Sequence, residues 1–501
     1  MALTPAWYQF LVCVFASLGS SLYGYDLGVI AGVVASPNFI KQYSPSTSET
    51  GGVVSIFTGG AFLGAFLAGP IGDWLGRRKT ILIGAVIFLL GGGLQTGAQS
   101  LSFLYAGRVL AGLAVGFLVM IVPMYQAELA HPNIRGRVTA LQQFMLGIGA
   151  LIAGWTTYGT NKNLPNSDSN QWRLPLGIQL VPAGVLALLI MIFPESPRWL
   201  IAHGKKDEGL RTLARLHSRG DENDSWVRAE YGQIVDMIQY EHEHEAQSYK
   251  ELFTNKSSFR RLFLAVAIQA SIQMTGVSAI QYYSPVIFAQ IGIGLDDTLK
   301  YQGISSVLAI LAQFACILLI DRAGRRWTLI GGNLFNCLFF IVATALLASF
   351  PPGTTHNGSA SWAFIIFTWL YNISFSGACG PLSWIIPAEI FDTRTRSKGV
   401  SIATMTSFAF NTMIGQVTPI AMANIGWRFY LLFVVCNFTN AVFFWAFLPE
   451  TAKRPLEEMN YLFTNAPYFV PSMKRDVFET YDLENRRQEV EKEAHIAQQK
   501  E

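Results

Sequence analysis

Asp26 stands inside an otherwise apolar stretch, Tyr23-Gly24-Tyr25-Asp26-Leu27-Gly28, where a carboxylate is costly unless it is neutralised or paired. A group so placed can exchange a proton or hold a buried cation. Arg108, in Gly107-Arg108-Val109-Leu110, is the natural partner. A static pair or a cap for a kink near Gly24 is the plainer alternative. Ionisable residues in such stretches nevertheless mark proton or substrate paths by default. A second set is uncharged: Gln142, Gln143, Gln273, Gln281, Trp384 and Asn411, all in apolar surroundings. Amides donate and accept at once, as hydroxyl groups do, and an aromatic face suits a sugar ring or similar polyhydroxylated molecule. Polar glue between helices is the competing reading.

A third set is charged and occurs twice. Gly72-Asp73-Trp74-Leu75-Gly76-Arg77-Arg78 is matched by Asp321-Arg322-Ala323-Gly324-Arg325-Arg326. Glu128 with Arg135 is matched by Glu389 with Arg396, and Pro194-Glu195-Ser196-Pro197-Arg198 by Pro449-Glu450-Thr451. Arg77 and Arg325 stand 248 residues apart, Glu128 and Glu389 261, and Pro194 and Pro449 255, so the chain reads as a duplication. Two homologous membrane halves around a central site are the architecture of an alternating-access carrier. Carboxylates and guanidiniums at converging helix ends can form bidentate pairs, and breaking them in a rocking motion would make the sets an inner latch. The bland reading is that the arginines only anchor topology.

These residues need positioning elements, and twelve apolar stretches supply them: approximately 7–30, 52–72, 80–99, 103–126, 137–159, 174–193, 260–290, 301–320, 327–349, 361–387, 398–423 and 427–448. A helix needs about 20 residues to cross the hydrocarbon layer, and lipid leaves backbone groups no partner outside the helix. The expected fold is an all-α membrane protein with twelve transmembrane helices in two pseudo-symmetric six-helix bundles. Residues 1–193 form the first bundle, 194–259 a cytoplasmic helical linker, 260–448 the second bundle and 449–501 a cytoplasmic tail. In the linker Arg211, Leu213, Ala214, Leu216, Ile234, Met237 and Ile238 recur at helical spacing, predicting two or three short amphipathic helices bridging the halves. The segment after Pro467 is charged without an apolar stripe and reads as mobile.

Composition agrees with a lipid-immersed chain: of 501 residues, 51% are hydrophobic and 14% charged, against roughly 25% charged in soluble domains. A net charge of +3 with dispersed basic residues gives no nucleic-acid partner. Cys13, Cys316, Cys337, Cys379 and Cys436 show neither disulfide nor metal spacing, and the seven His are scattered, so no metal, cofactor or enzyme constellation is expected. Lys and Arg concentrate in the 73–80, 130–137, 321–326 and 390–398 loops, which places these and both termini in the cytoplasm. Asn357-Gly358-Ser359 is then an external glycosylation acceptor, while Asn437-Phe438-Thr439 lies within a span and should be inert.

Gly72-Asp73-x-x-Gly76-Arg77-Arg78, Pro194-Glu195-Ser196-Pro197-Arg198-Trp199-Leu200, Gln273-x-x-Gly276, Tyr282-Tyr283, Gly380-Pro381-x-x-Trp384 and Pro449-Glu450-Thr451 together resemble the sugar porter family of the major facilitator superfamily, its fungal members most. The resemblance implies a carrier for monosaccharides or related polyols, working as a monomer in the plasma membrane. It also implies Asp26 as proton acceptor modulated by Arg108, since related uniporters often carry Asn there. An uncoupled carrier and a transporter-like sugar sensor are the competing functions. Gln143, Gln273, Trp384 and Asn411 stand at family sugar-contacting positions, and Tyr282 and Tyr283 at the outer gate. The chain departs from the family where Ile272-Gln273 replaces Gln-Gln, Ser278 replaces Asn, and Ser407-Phe408 replaces Asn-Trp. Each lost amide partner forfeits about 1 kcal/mol. The ligand therefore need not be glucose: a pentose, another hexose, a polyol, a sugar acid or a short oligosaccharide all fit, though a sugar acid would want a cavity cation beyond Arg108.

Overall fold

The computed structural model describes residues 4–130, 135–244, 249–350, 358–391, 395–451, 462–464 and 467–472. Asn357 and the chain from 473 onward lie outside them, as do the side chains of Arg135 and Asp321. The described residues are helical and contain no strand.

Each half supplies six spans. Those of the first half are Trp7–Ala35, Thr47–Leu75, Arg77–Thr96, Leu101–Leu129, Arg135–Asn163 and Asn170–Ile192. Those of the second are Lys256–Ala289, Leu295–Ile320, Arg325–Ser349, Gly358–Pro387, Arg396–Ile425 and Phe429–Phe447. They are called spans one to twelve below. A twelve-helix architecture follows, and several helices run beyond the apolar stretches that mark them in the sequence. Span two starts at Thr47 because Ser46 caps it: Ser46 Oγ accepts from Glu49 N–H at 3.3 Å, and Glu49 Oε2 accepts from Ser46 N–H at 2.8 Å. Span seven is broken, ending one helix at Gln273 and starting another at Val277, with a kink at Tyr283. Span ten carries a π-helical turn over Phe375–Cys379.

Small residues set the packing within the first half. Span one lies on span five, and span two on span four. At those crossings, Gly24 faces the backbone carbonyl of Leu146 and Gly112 that of Phe57, with no room for a side chain. Lipid provides no hydrophobic drive between helices, so such close backbone contact is what holds them. The halves meet along span two against span eleven and span five against span eight, two interfaces related by the duplication.

The linker forms helices Pro197–Ala202, Lys206–His217 and Ser225–His244. Leu210, Leu213, Ala214 and Val227 make a small core of their own. The linker seats on the first half: Gln9 Nε2 donates to the Leu216 carbonyl at 2.7 Å, and His217 Nε2 lies 3.4 Å from the Leu129 carbonyl oxygen. The start of the tail departs from the sequence reading. Leu462, Phe463 and Val470 are buried in the core of the second half, and Arg260 Nη2 donates to the Pro467 carbonyl at 2.8 Å with its guanidinium over the Tyr468 ring. The aromatic residues found partners that an unpatterned sequence does not disclose.

Candidate functional site

Where the halves meet, a cavity of ≈ 130 Å³ is lined by Gln143, Gln269, Gln273, Ser278, Gln281, Gln313, Asn372, Trp384 and Asn411, among others. None of its lining residues carries a charge. Breaks in spans seven and ten bring these groups together. Gly276 ends the first piece of span seven at φ +95°, and a methyl there would meet the Phe340 ring at 2.5 Å, so glycine is required. The break places Gln273 at a helix end, where its Nε2 donates to Ser407 Oγ at 3.0 Å and its Oε1 accepts from Ser278 Oγ at 2.8 Å. Two of the positions that depart from the family pattern, Ser278 and Ser407, therefore hold Gln273 from both ends. Gln143 and Trp384 contribute from spans five and ten.

Gln142, expected at this site, sits elsewhere, and the two tyrosines expected at the outer gate pack beside the cavity. Gln142 points at span four, its Nε2 donating to the Val119 carbonyl at 3.4 Å. Tyr282 and Tyr283 are buried beside the cavity, donating to Asn411 Oδ1 at 3.0 Å and to the Gly415 carbonyl at 2.6 Å. Conversely, Gln269, Gln313 and Asn372 line the cavity without having been singled out. The signal was available, since each is an amide in an apolar span, and Gln313 Oε1 is buried with no hydrogen-bond partner.

Asp26 does not line the cavity, but its helical neighbours Tyr23 and Leu27 do. Asp26 and Arg108 are fully buried, with Arg108 Nη1 donating to Asp26 Oδ1 at 2.5 Å. Arg108 Nε donates to the Val53 carbonyl at 2.9 Å, and the guanidinium lies 4.5 Å from the Phe57 ring centroid. Spans one, two and four thus converge on one ion pair. Asp26 Oδ2 is buried with no hydrogen-bond partner.

At the basic end the charged sets form duplicate clusters. Arg77 holds Glu128 with Nε and Nη2 at 3.0 Å each and Asp73 with Nη1 at 2.8 Å. Glu195 accepts from the backbone N–H groups of Arg77, Arg78 and Ser196. In the second half Arg325 holds Glu389 at 3.1 Å, and Glu450 accepts from the N–H groups of Arg325, Arg326 and Thr451. Gly76 and Gly324 adopt φ +92° and +80°; a methyl would lie 2.5 Å from Glu195 Oε2 in one and 2.7 Å from Glu450 Oε2 in the other. The glycine before each Arg-Arg pair therefore exists to let a carboxylate reach the start of a helix. Burial pushes the Glu195 carboxyl above its usual range, against the pull of these N–H donors and Arg78. Arg396 donates to the Phe391 carbonyl, and Arg198 stands half-buried in the second position of the first linker helix. Each of these pairs lies within one half.

At the opposite end bonds cross between halves: Ser55 Oγ donates to Gln416 Oε1 at 2.7 Å, Thr58 and Thr412 hydroxyls meet at 2.8 Å, and Gln416 Nε2 donates to the Ser48 carbonyl at 3.2 Å. Asn437 is fully buried and bonded to the Thr275 and Phe433 carbonyls.

Two six-helix halves around an uncharged polar cavity define a membrane carrier. The family profile described as "Sugar (and other) transporter" matches residues 12–463, and the chain belongs to that family, the sugar transporters of the major facilitator superfamily. It is 35% identical to the MFS-type transporter criB of Aspergillus cristatus, over 90% of this chain and 92% of that one. It is 30% identical to the MFS glucose transporter mfs1 of Aspergillus flavus, over 97% and 93%. The quinate permease of Emericella nidulans is 32% identical, over 92% and 89%. Among solved structures, the fold matches the proton:xylose symporter XylE bound to 6-bromo-6-deoxy-D-glucose with TM-score 0.76 and 24% identity, over 92% of this chain and 100% of that chain. It also matches the inward open xylose transporter XylE from E. coli with TM-score 0.72 and 24% identity, over 91% and 100%.

Proposed function

We propose that this protein is a proton-coupled symporter of a neutral monosaccharide or closely related polyol, working by alternating access. The observation that carries the reading is the uncharged, amide-lined cavity directly beside a buried carboxylate with one unpartnered oxygen. The amides and Trp384 suit the hydroxyls and ring face of a sugar. A quinate-like anion would bury a carboxylate there with no Lys or Arg among the lining residues to meet it, which costs several kcal/mol. Asp26 supplies the proton acceptor, and Arg108 responds by releasing or regaining its partner as the proton arrives or leaves. The basic clusters face the cytoplasm, as do both termini, and the plasma membrane is the site of action. With that orientation, the bonds from span two to span eleven close the extracellular side.

Uptake of labelled sugars in a carrier-deficient host, with and without a protonophore, tests ligand and coupling together. An uncoupled carrier would be unaffected by the protonophore, and a sensor would give no uptake. Gln273→Ala is expected to raise the apparent KM about tenfold, because it removes one direct partner and releases Ser278 and Ser407 from their places. An unchanged KM would remove Gln273 from the site.

The charged clusters fix the helix ends that converge when the inner side closes. Glu128→Gln leaves Asp73 as the one carboxylate paired with the Arg77 side chain among the described residues and is expected to shift the equilibrium about fivefold toward the inward-open state, the equivalent of roughly 1 kcal/mol. Labelling of single cysteines in the inner cavity wall reads that shift. Unchanged labelling would leave the cluster a topology anchor.

A further inference from the structure

A second cavity, of ≈ 440 Å³, lies at the basic end, between the start of span three, the end of span six and the linker. Five cationic side chains line it: Arg78, Lys79, Lys205, Arg211 and Arg215. Of the two carboxylates there, Glu195 is already committed to three backbone N–H donors. Glu208 lies 3.9 Å from Lys205, with both side chains more than half exposed. The local charge is therefore strongly positive. Most of the cations keep donors to spare: Arg211 meets Glu222 only at 3.7 Å, Arg215 rests over the Tyr8 ring, and Arg78, whose Nη1 donates to the Met191 and Phe193 carbonyls, has a buried Nε with no hydrogen-bond partner.

The cavity's position selects the ligand. Its wall includes Ile192 and Phe193. Span six presents Leu188 and Ile192 outward at 79% and 69% exposure just above. An apolar lipid-facing surface thus runs without interruption into a basic pocket at the level where headgroups lie. Basic pockets between helix ends at this level bind phosphorylated headgroups, each cation near the surface contributing about 1 kcal/mol.

We propose that this cavity binds a phosphomonoester anion, supplied by the headgroup of a phosphorylated inositol lipid in the cytoplasmic leaflet, and that the ligand ties the linker to the first half. The site uses neither the sugar cavity nor Asp26, and it rests on the proposed orientation only for the choice of leaflet.

The test uses the full-length protein and the double variant Lys205→Gln/Arg211→Gln, two exposed side chains outside the transport machinery. Binding is measured to nanodiscs of phosphatidylcholine alone, to nanodiscs also containing phosphatidylinositol 4-phosphate, and, in detergent, to soluble inositol trisphosphate. The expected result is binding to the phosphorylated lipid, none to phosphatidylcholine alone, and affinity about thirtyfold weaker in the variant. Binding of the soluble phosphate equal to that of the lipid, and lost in the variant, would keep the phosphomonoester site and overturn its membrane source. Equal binding by protein and variant, or no phosphate-dependent binding, would overturn the site. Sugar uptake and melting temperature equal to the unsubstituted protein's show that the variant is folded.

Discussion

Asp26→Asn is expected to abolish accumulation of sugar against a gradient and to leave exchange of sugar across the membrane intact. Moving one proton down 100 mV releases about 2.3 kcal/mol, enough to concentrate a neutral solute roughly 50-fold. Asparagine keeps the shape of the side chain and an oxygen for Arg108, but its amide takes up no proton in this range. The variant should therefore equilibrate sugar to the external level, with protonophore making no further difference. Uptake by the unsubstituted protein should rise as external pH falls and collapse with protonophore. Steady-state accumulation in proteoliposomes under an imposed gradient decides the matter, and full accumulation by the variant would remove Asp26 from coupling. Arg108 loses a charge partner in this variant, so a folding control by size exclusion accompanies it.

The second large effect is on folding. Gly112→Ala is expected to cost about 3 kcal/mol, the upper range for overpacking, because the added methyl would lie 1.9 Å from the Phe57 carbonyl oxygen. The obstacle is backbone and cannot rotate away, so spans two and four must part. That separation would also disturb the contacts of Arg108 with Val53 and Phe57. A lower melting temperature in detergent and a smaller monodisperse fraction are the readouts. Gly69→Ala is the control, since nothing lies within 4 Å of a methyl there. Equal stability of the two variants would show that the crossing is loosely held.

The spans and the duplicated charge clusters were legible because both are local properties: a run of apolar residues long enough to cross lipid, and charges at its ends. Where each polar side chain turns was not. Gln142 and Gln143 are neighbours in sequence and about 100° apart around the helix, and one meets span four while the other meets the cavity. Nothing in their types separates them; only the positions of spans four and eight do. Gln313 and Asn372 stand alone in the sequence, without a motif to mark them. The tail's Phe463 and Tyr468 had no periodicity to betray that arginines of span seven would receive their rings.

Span seven enters the bilayer as two rods instead of one. The rupture at Gly276 has already forfeited the helical bonds that bending would otherwise have to break, so tilting the outer rod costs little beyond side-chain rearrangement. Gln273 ends the inner rod and Tyr282 and Tyr283 ride on the outer one. The amide that lines the cavity and the tyrosines that bond span eleven thus sit on separate rods.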